Sequence, residues 1–247
     1  MGGRVRVWRG LGARVIAVEP QPDCLRVLRL FFGRDQEVTI VPGAVGAKPG
    51  RAQLAMSTAT PTVSSMSPGW ITSVTRDDSF ARVRWDRSIE VEVTTLDDLI
   101  AAHGVPAFCK IDVEGFEADV LAGLTQPLPA LSFEYVPSAH DASMEALRLV
   151  ERLGDYVYNY SPIETMRFAS PRWLEAGSCG GSSNGSVPAA GPATSTPASG
   201  PAGAVPQPDA FTDRSPSRPP RGRPGRSPGP SARGTPGPAS RRRARTG

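Results

Sequence analysis

"CKIDVEGFEADVLAGL", residues 109–124, decides how the rest of the chain is read. An apolar, strand-like run closes on Asp112, and Glu114, Gly115, Glu117 and Asp119 follow at once. Beyond them Phe116, Val120, Leu121 and Leu124 recur at helical spacing, which predicts a helix with that stripe inward. A strand that hands over to a helix through a tight turn is half of a βαβ unit. Gly115 lets the backbone turn sharply or approach a ligand. Asp112 is expected at the strand's carboxyl end, and Glu114 near the helix N-terminus, where the dipole favours negative charge. Glu117 and Asp119 are expected in the first helical turn as solvated acids that offset that dipole.

Working outward, the same alternation recurs. "ARVIAVEP" carries Val15, Ile16 and Val18 and stops at Glu19-Pro20, a strand expected to be buried on both faces. "QPDCLRVLRLFF" places Pro22 near a helix start, with Leu25, Leu28 and Phe32 on one face. "EVTIVPGAVG" reads as a strand ending at a turn around Gly43, and "RAQLAMS" and "SIEVEVT" alternate as strands do. In "TTLDDLIAAHG", Thr95 and Asp98 resemble a capping box and Gly104 a C-cap. "ALSFEYV", "DASMEALRLVERLG" and "YVYNY" add strand, helix and strand. The order predicts an α/β fold, a doubly wound, mostly parallel sheet with helices on both faces.

Composition divides the 247 residues in two. From residue 177 onward the chain is almost wholly Gly, Pro, Ser, Ala, Thr and Arg, with Phe211 its one aromatic residue. Ten Arg against two acids give this stretch a net charge of +8, which leaves −4 for residues 1–176 out of +4 overall. Such a segment has too little apolar surface to offset its ordering entropy, so 177–247 is expected to be a disordered tail. Its "RRRAR" run at 241–245 is expected to be solvated, with no specific nucleic acid as partner. Cys24, Cys109 and Cys179 lie far apart, which indicates neither a zinc site nor a disulfide framework. No run of apolar residues is long enough for a membrane span, and a cytoplasmic protein is expected.

In doubly wound sheets ligands bind beyond the carboxyl ends of the strands. Those ends are Glu19, the turn at residues 42–44, Asp112 and Glu134, three carboxylates among four positions. An acidic mouth on a net-negative body disfavours polyanions and suits a cationic or neutral polar ligand. Glu19 is placed to accept two hydrogen bonds from ribose hydroxyls, although an exposed loop acid would look the same. The helix after it lacks the G-x-G-x-x-G expected for NAD. A second reading takes Asp112, Glu114 and Glu117 as oxygen ligands for Mg²⁺, with no other acid-rich motif to complete the site.

"RVIAVEPQP", "VTTLDDLI", "KIDVEGFEADVLAGL" and "LSFEYV", in that order and spacing over about residues 10–165, resemble the FkbM family of S-adenosylmethionine-dependent methyltransferases. The resemblance implies a Rossmann-like class I methyltransferase fold and O-methylation of a hydroxyl on a small metabolite, sugar or natural product. It implies S-adenosyl-L-methionine as cofactor and a small hydroxylated molecule as partner. Carried over, Glu19 binds the cofactor ribose, and Gly43 and Ala44 lie against adenine. Asp112 and Glu114 line the methionine end or the acceptor pocket. Asp112, Glu134 and His140 are the residues expected to bind the acceptor or remove its proton. His140 suits a base near neutral pH and suits an ordinary loop equally.

The family opens with a strand and a D-x-G-A-N-x-G loop ahead of "GARVIAVEP", and here Met1 stands close before that stretch. Residues 1–176 are therefore expected to form an N-terminally incomplete methyltransferase domain. The alternative is a truncated, non-catalytic remnant that binds cofactor weakly or not at all. Residues 57–87, with Trp70, Phe80 and Trp85, form an insertion expected to fold over the pocket or to be a plain surface loop.

Overall fold

The computed structural model describes residues 2–136, 139–162, 165, 167–175 and, as backbone, 185–190. Met1–Ser195 form one compact unit; the second, Thr196–Gly247, lies outside the described residues, and with it most of the expected tail.

Helix α1 (Gly3–Gly10) leads into strand β1 (Val15–Glu19), which α2 (Pro22–Phe32) follows. Pro22 opens α2 without losing an intrahelical bond, and Cys24, Leu25, Leu28 and Phe32 supply its buried stripe. Strand β2 (Val38–Pro42) then pairs in parallel with β1, Val15 opposite Val38 and Glu19 opposite Pro42. The expectation that β1 is buried on both faces is not met: all five of its residues are half-buried. Among the described residues β2 is its one paired strand, so half its backbone edge and much of its surface lack a covering neighbour.

Three further strands make a second sheet. β3 (Ala44–Val45) runs parallel to β5 (Arg87–Thr94), while β4 (Gly50–Met56) pairs with β5 antiparallel along its full length. Residues 57–86 leave and re-enter this pair and carry α3 (Pro68–Val74) and a 3₁₀ turn at Asp78–Phe80. Helix α4 (Leu96–His103) starts on the expected capping box. Asp98 N–H donates to Thr95 Oγ1 at 3.0 Å, and Thr95 N–H to Asp98 Oδ2 at 3.2 Å.

The third sheet holds the main core. β6 (Cys109–Ile111) pairs in parallel with β7 (Ala130–Tyr135), joined through α5 (Glu117–Ala122). Helix α6 (His140–Leu153) packs on α5, and β8 (Val157–Tyr158) and β9 (Ser161–Pro162) follow. Ile111, Val120, Leu121, Leu128, Leu131, Phe133, Val150 and Tyr158 meet in one cluster. Each large apolar side chain so buried stabilises the fold by roughly 1.5–3 kcal/mol.

Strand β10 (Gly185–Ala190) corrects the reading of 177–247 as a tail for six of its residues. It lies antiparallel between β7 on one side and β8 and β9 on the other. Pro188 falls between the two short ladders of the outer side, where a missing N–H costs least. The fold is thus mixed α/β with small parallel and mixed sheets, rather than one mostly parallel sheet. Among the described strands no pairing joins β1 to β6.

Candidate active site

Parallel pairing aligns strand ends, and here it aligns acids. Ile111 pairs with Phe133, so one residue further Asp112 comes level with Glu134 at the carboxyl ends of β6 and β7. Asp112 is exposed and its Oδ2 lies 2.8 Å from Lys110 Nζ, two residues back on the same strand face. Glu114 follows with a left-handed backbone, φ 51°, a conformation uncommon outside glycine. Its carboxyl is largely buried. Burial first, then the charges of Glu134, Asp112 and Glu117, push it up to about 8, while Lys110 pulls it down. Asp112, Glu114, Glu134 and Lys110 therefore occupy one electrostatic neighbourhood. The expectation that a helix dipole would favour an ionised Glu114 is overturned, because Glu114 precedes α5 and desolvation outweighs any dipole.

Glu117 needs a second correction. It is 6% exposed rather than solvated, and its Oε1 accepts the amides of Val113 and Gly115, each at 3.3 Å. The side chain folds back from the first turn of α5 to satisfy the backbone of the loop before it. Asp119 is exposed in that turn, as expected. Among the described residues no group of three or more His, Cys, Asp and Glu is arranged to hold a metal ion. Glu117, one of the three acids read as Mg²⁺ ligands, is turned to backbone amides instead.

At the end of β1, Glu19 Oε1 accepts the Gln21 amide at 2.9 Å, and its carbonyl accepts the Gly43 amide at 3.1 Å. Burial raises the Glu19 carboxyl, and the Gln21 amide lowers it in part. Gly43 has φ 135°, and a Cβ there would stand 2.9 Å from the Glu92 carbonyl oxygen. Only glycine lets β2 pass so close to β5. Ala44 is buried with Leu54, Met56 and Val91, so its side chain serves the core of the second sheet.

His140 opens α6, exposed, with Nδ1 3.2 Å from Tyr135 Oη and the two rings edge to face. Sequence reasoning missed Tyr135, although it directly follows Glu134 at a strand end. It also missed Ser65, whose hydroxyl donates to the Glu114 carbonyl at 2.6 Å. No local signal marks Ser65; the contact spans 49 positions.

Acids at the carboxyl ends of parallel strands, held by following helices, give an α/β domain of methyltransferase-like architecture. The methyltransferase FkbM domain matches residues 4–160, more than half of the chain, and the chain belongs to the FkbM methyltransferase family. No curated protein and no solved structure matches it. Among the described residues no helix is long and apolar enough to cross a membrane.

Proposed function

We propose that this protein is an S-adenosylmethionine-dependent methyltransferase that methylates a hydroxyl oxygen of a small metabolite, sugar or natural product. The observation that carries the reading is the meeting of Asp112, Glu114 and Glu134 at the ends of β6 and β7. Together with Glu19 at the end of β1, these acids suit a ligand that has both ribose hydroxyls and cationic centres. The strands fit the doubly wound arrangement with β1 and β2 on one side and β6 and β7 on the other.

S-adenosylmethionine, when bound, supplies an electrophilic methyl group on a sulfonium. Glu19 would hold the ribose hydroxyls through the carboxylate that the Gln21 amide already orients. The Gly43 turn, closed against Glu92, would border the base. Asp112, Glu114 and Glu134 would face the cationic end, with Lys110 limiting their mutual repulsion. Tyr135 fixes the His140 ring through Nδ1, which leaves Nε2 to take the proton from an acceptor hydroxyl. Positioning and exclusion of water supply much of the remaining acceleration.

A second reading, a domain without turnover, is favoured by the separation of β1 from β6 among the described strands. Titration calorimetry with S-adenosylmethionine separates the two. Binding that weakens about tenfold or more in Glu19→Ala supports the enzyme, a tenfold change being about 1.4 kcal/mol. A chain that is folded by circular dichroism and yet evolves no heat supports the second reading. Screening hydroxylated metabolites for methyl transfer then identifies the acceptor.

A further inference from the structure

Residues 57–86 do not hang free of the domain. Ser65 is fully buried, and its backbone bridges to Ala55 of β4 through bonds of 2.9 and 3.0 Å. Its hydroxyl donates to the Glu114 carbonyl at 2.6 Å and accepts the Ser67 amide at 3.0 Å. Ser67 in turn caps α3 by accepting the Trp70 amide at 3.1 Å. The cap delivers Trp70, 3% exposed, onto the loop after β6, where its ring covers the Cα of Gly115. A Cβ at Gly115 would collide with that ring. Phe80 and Trp85 stand edge-on to Trp70 and fix its plane, and Trp85 Nε1 donates to the Val63 carbonyl at 3.0 Å.

We propose that this segment is a positioning element for the candidate site: Ser65 and Trp70 together hold Glu114 in its left-handed backbone and so aim and cover its carboxyl. The inference rests on the methyltransferase reading only for what Glu114 faces, and its geometry stands without it. A non-glycine residue in this conformation is strained and persists where its surroundings over-determine it. Here the surroundings are one short hydrogen bond from Ser65 and one aromatic plane from Trp70. Burial beneath that plane also accounts for a carboxyl held near pH 8 in the presence of Lys110. The charged groups facing it are Glu134 from β7, Lys110 and Asp112 from β6 and its end, and Glu117 from α5. Ser65 and Trp70 are uncharged and act through position alone.

The test uses the full chain with ¹³C-labelled glutamate, the Glu114 carboxyl being assigned with Glu114→Gln. In the wild type its signal titrates near 8. In Ser65→Ala the carboxyl relaxes toward water and its midpoint falls by about a pH unit or more, tenfold in proton affinity. Trp70→Leu, which removes the covering plane, moves it the same way. Trp70→Phe keeps a plane and restores most of the wild-type midpoint; it also removes Nε1, a buried donor without a partner in the structure. Thr58→Ala, which loses a contact to Asp86 within the same segment, leaves the midpoint unchanged. An unmoved midpoint in folded Ser65→Ala or Trp70→Leu overturns the proposal. Should Ser65→Ala and Trp70→Leu not fold, a Trp70→Phe midpoint as low as that of an ordinary glutamate overturns it, and a midpoint near the wild type supports it. Calorimetry with S-adenosylhomocysteine runs in parallel. Absence of binding to the wild type would sink the methyltransferase reading and leave the titration result standing.

Discussion

Lys110 Nζ lies 2.8 Å from Asp112 Oδ2 on one face of β6, the compensating cation of an otherwise acidic strand end. Lys110 also lowers the Glu114 carboxyl against the burial and like charges that raise it. Lys110→Met therefore raises the Glu114 midpoint further above 8. Carboxyl NMR titration of the variant checks this; a fall would mean that the ammonium does not reach Glu114.

Glu114 makes stability depend on pH. Its folded-state pKa is raised above the ordinary value of 4.5 to about 8. Its contribution is therefore complete below about pH 4.5 and is lost as pH rises through 8. Glu114→Gln cannot ionise, so it is more stable than the wild type at pH 9, by roughly 2 kcal/mol, and nearly equal to it at pH 4.5. Thermal unfolding at the two pH values measures the difference.

Gly115 and Gly3 make a contrasting pair. Gly115→Ala combines φ 86° with a collision against Trp70 and destabilises by roughly 3 kcal/mol or more. Gly3→Ala meets nothing within 4 Å in helix α1 and is neutral or stabilising by up to about 1 kcal/mol. Denaturant midpoints compare them directly, and equal effects would contradict the placement of Trp70.

Removing the Glu117 carboxyl leaves two loop amides without their acceptor. Glu117→Ala is expected to cost roughly 1–3 kcal/mol, and Glu117→Gln, which keeps an oxygen there, much less. Hydrogen exchange at Val113 and Gly115 should quicken in the alanine variant and stay slow in the glutamine one.

Tyr135→Phe removes the partner of His140 Nδ1 and preserves the ring. If His140 is the base, the acid limb of the pH–rate profile shifts while the affinity for S-adenosylmethionine stays unchanged. An unaltered profile assigns the proton to another group.

Where a signal is local, the sequence carried it. Pro22 and the Leu25–Leu28–Phe32 stripe place α2, and Thr95 with Asp98 places the start of α4, because caps and helical periodicity act within a few residues. Asp112, Glu134 and Glu19 were legible as strand ends because each stops an apolar run. Other features depend on distant partners. Glu117 read as a solvated acid, and its burial follows only from the loop that folds back over α5. Ala44 read as a turn residue, and the second sheet makes it core.

The order of strands and helices, the helix starts and the acids at the strand ends came from the sequence itself. They are written in short-range patterning and in the motifs "VEP", "TLDDL" and "KIDVEGFE". Tertiary structure alone decided that β4 turns antiparallel to β5 and that Pro188 can sit in a strand between β7 and the β8 and β9 ladders. It alone set Ser65 and Trp70 on the backbone of residues 114 and 115. Strand direction, burial and the charge state of a carboxyl are properties of what packs against a residue, and the packing partner lies tens of positions away.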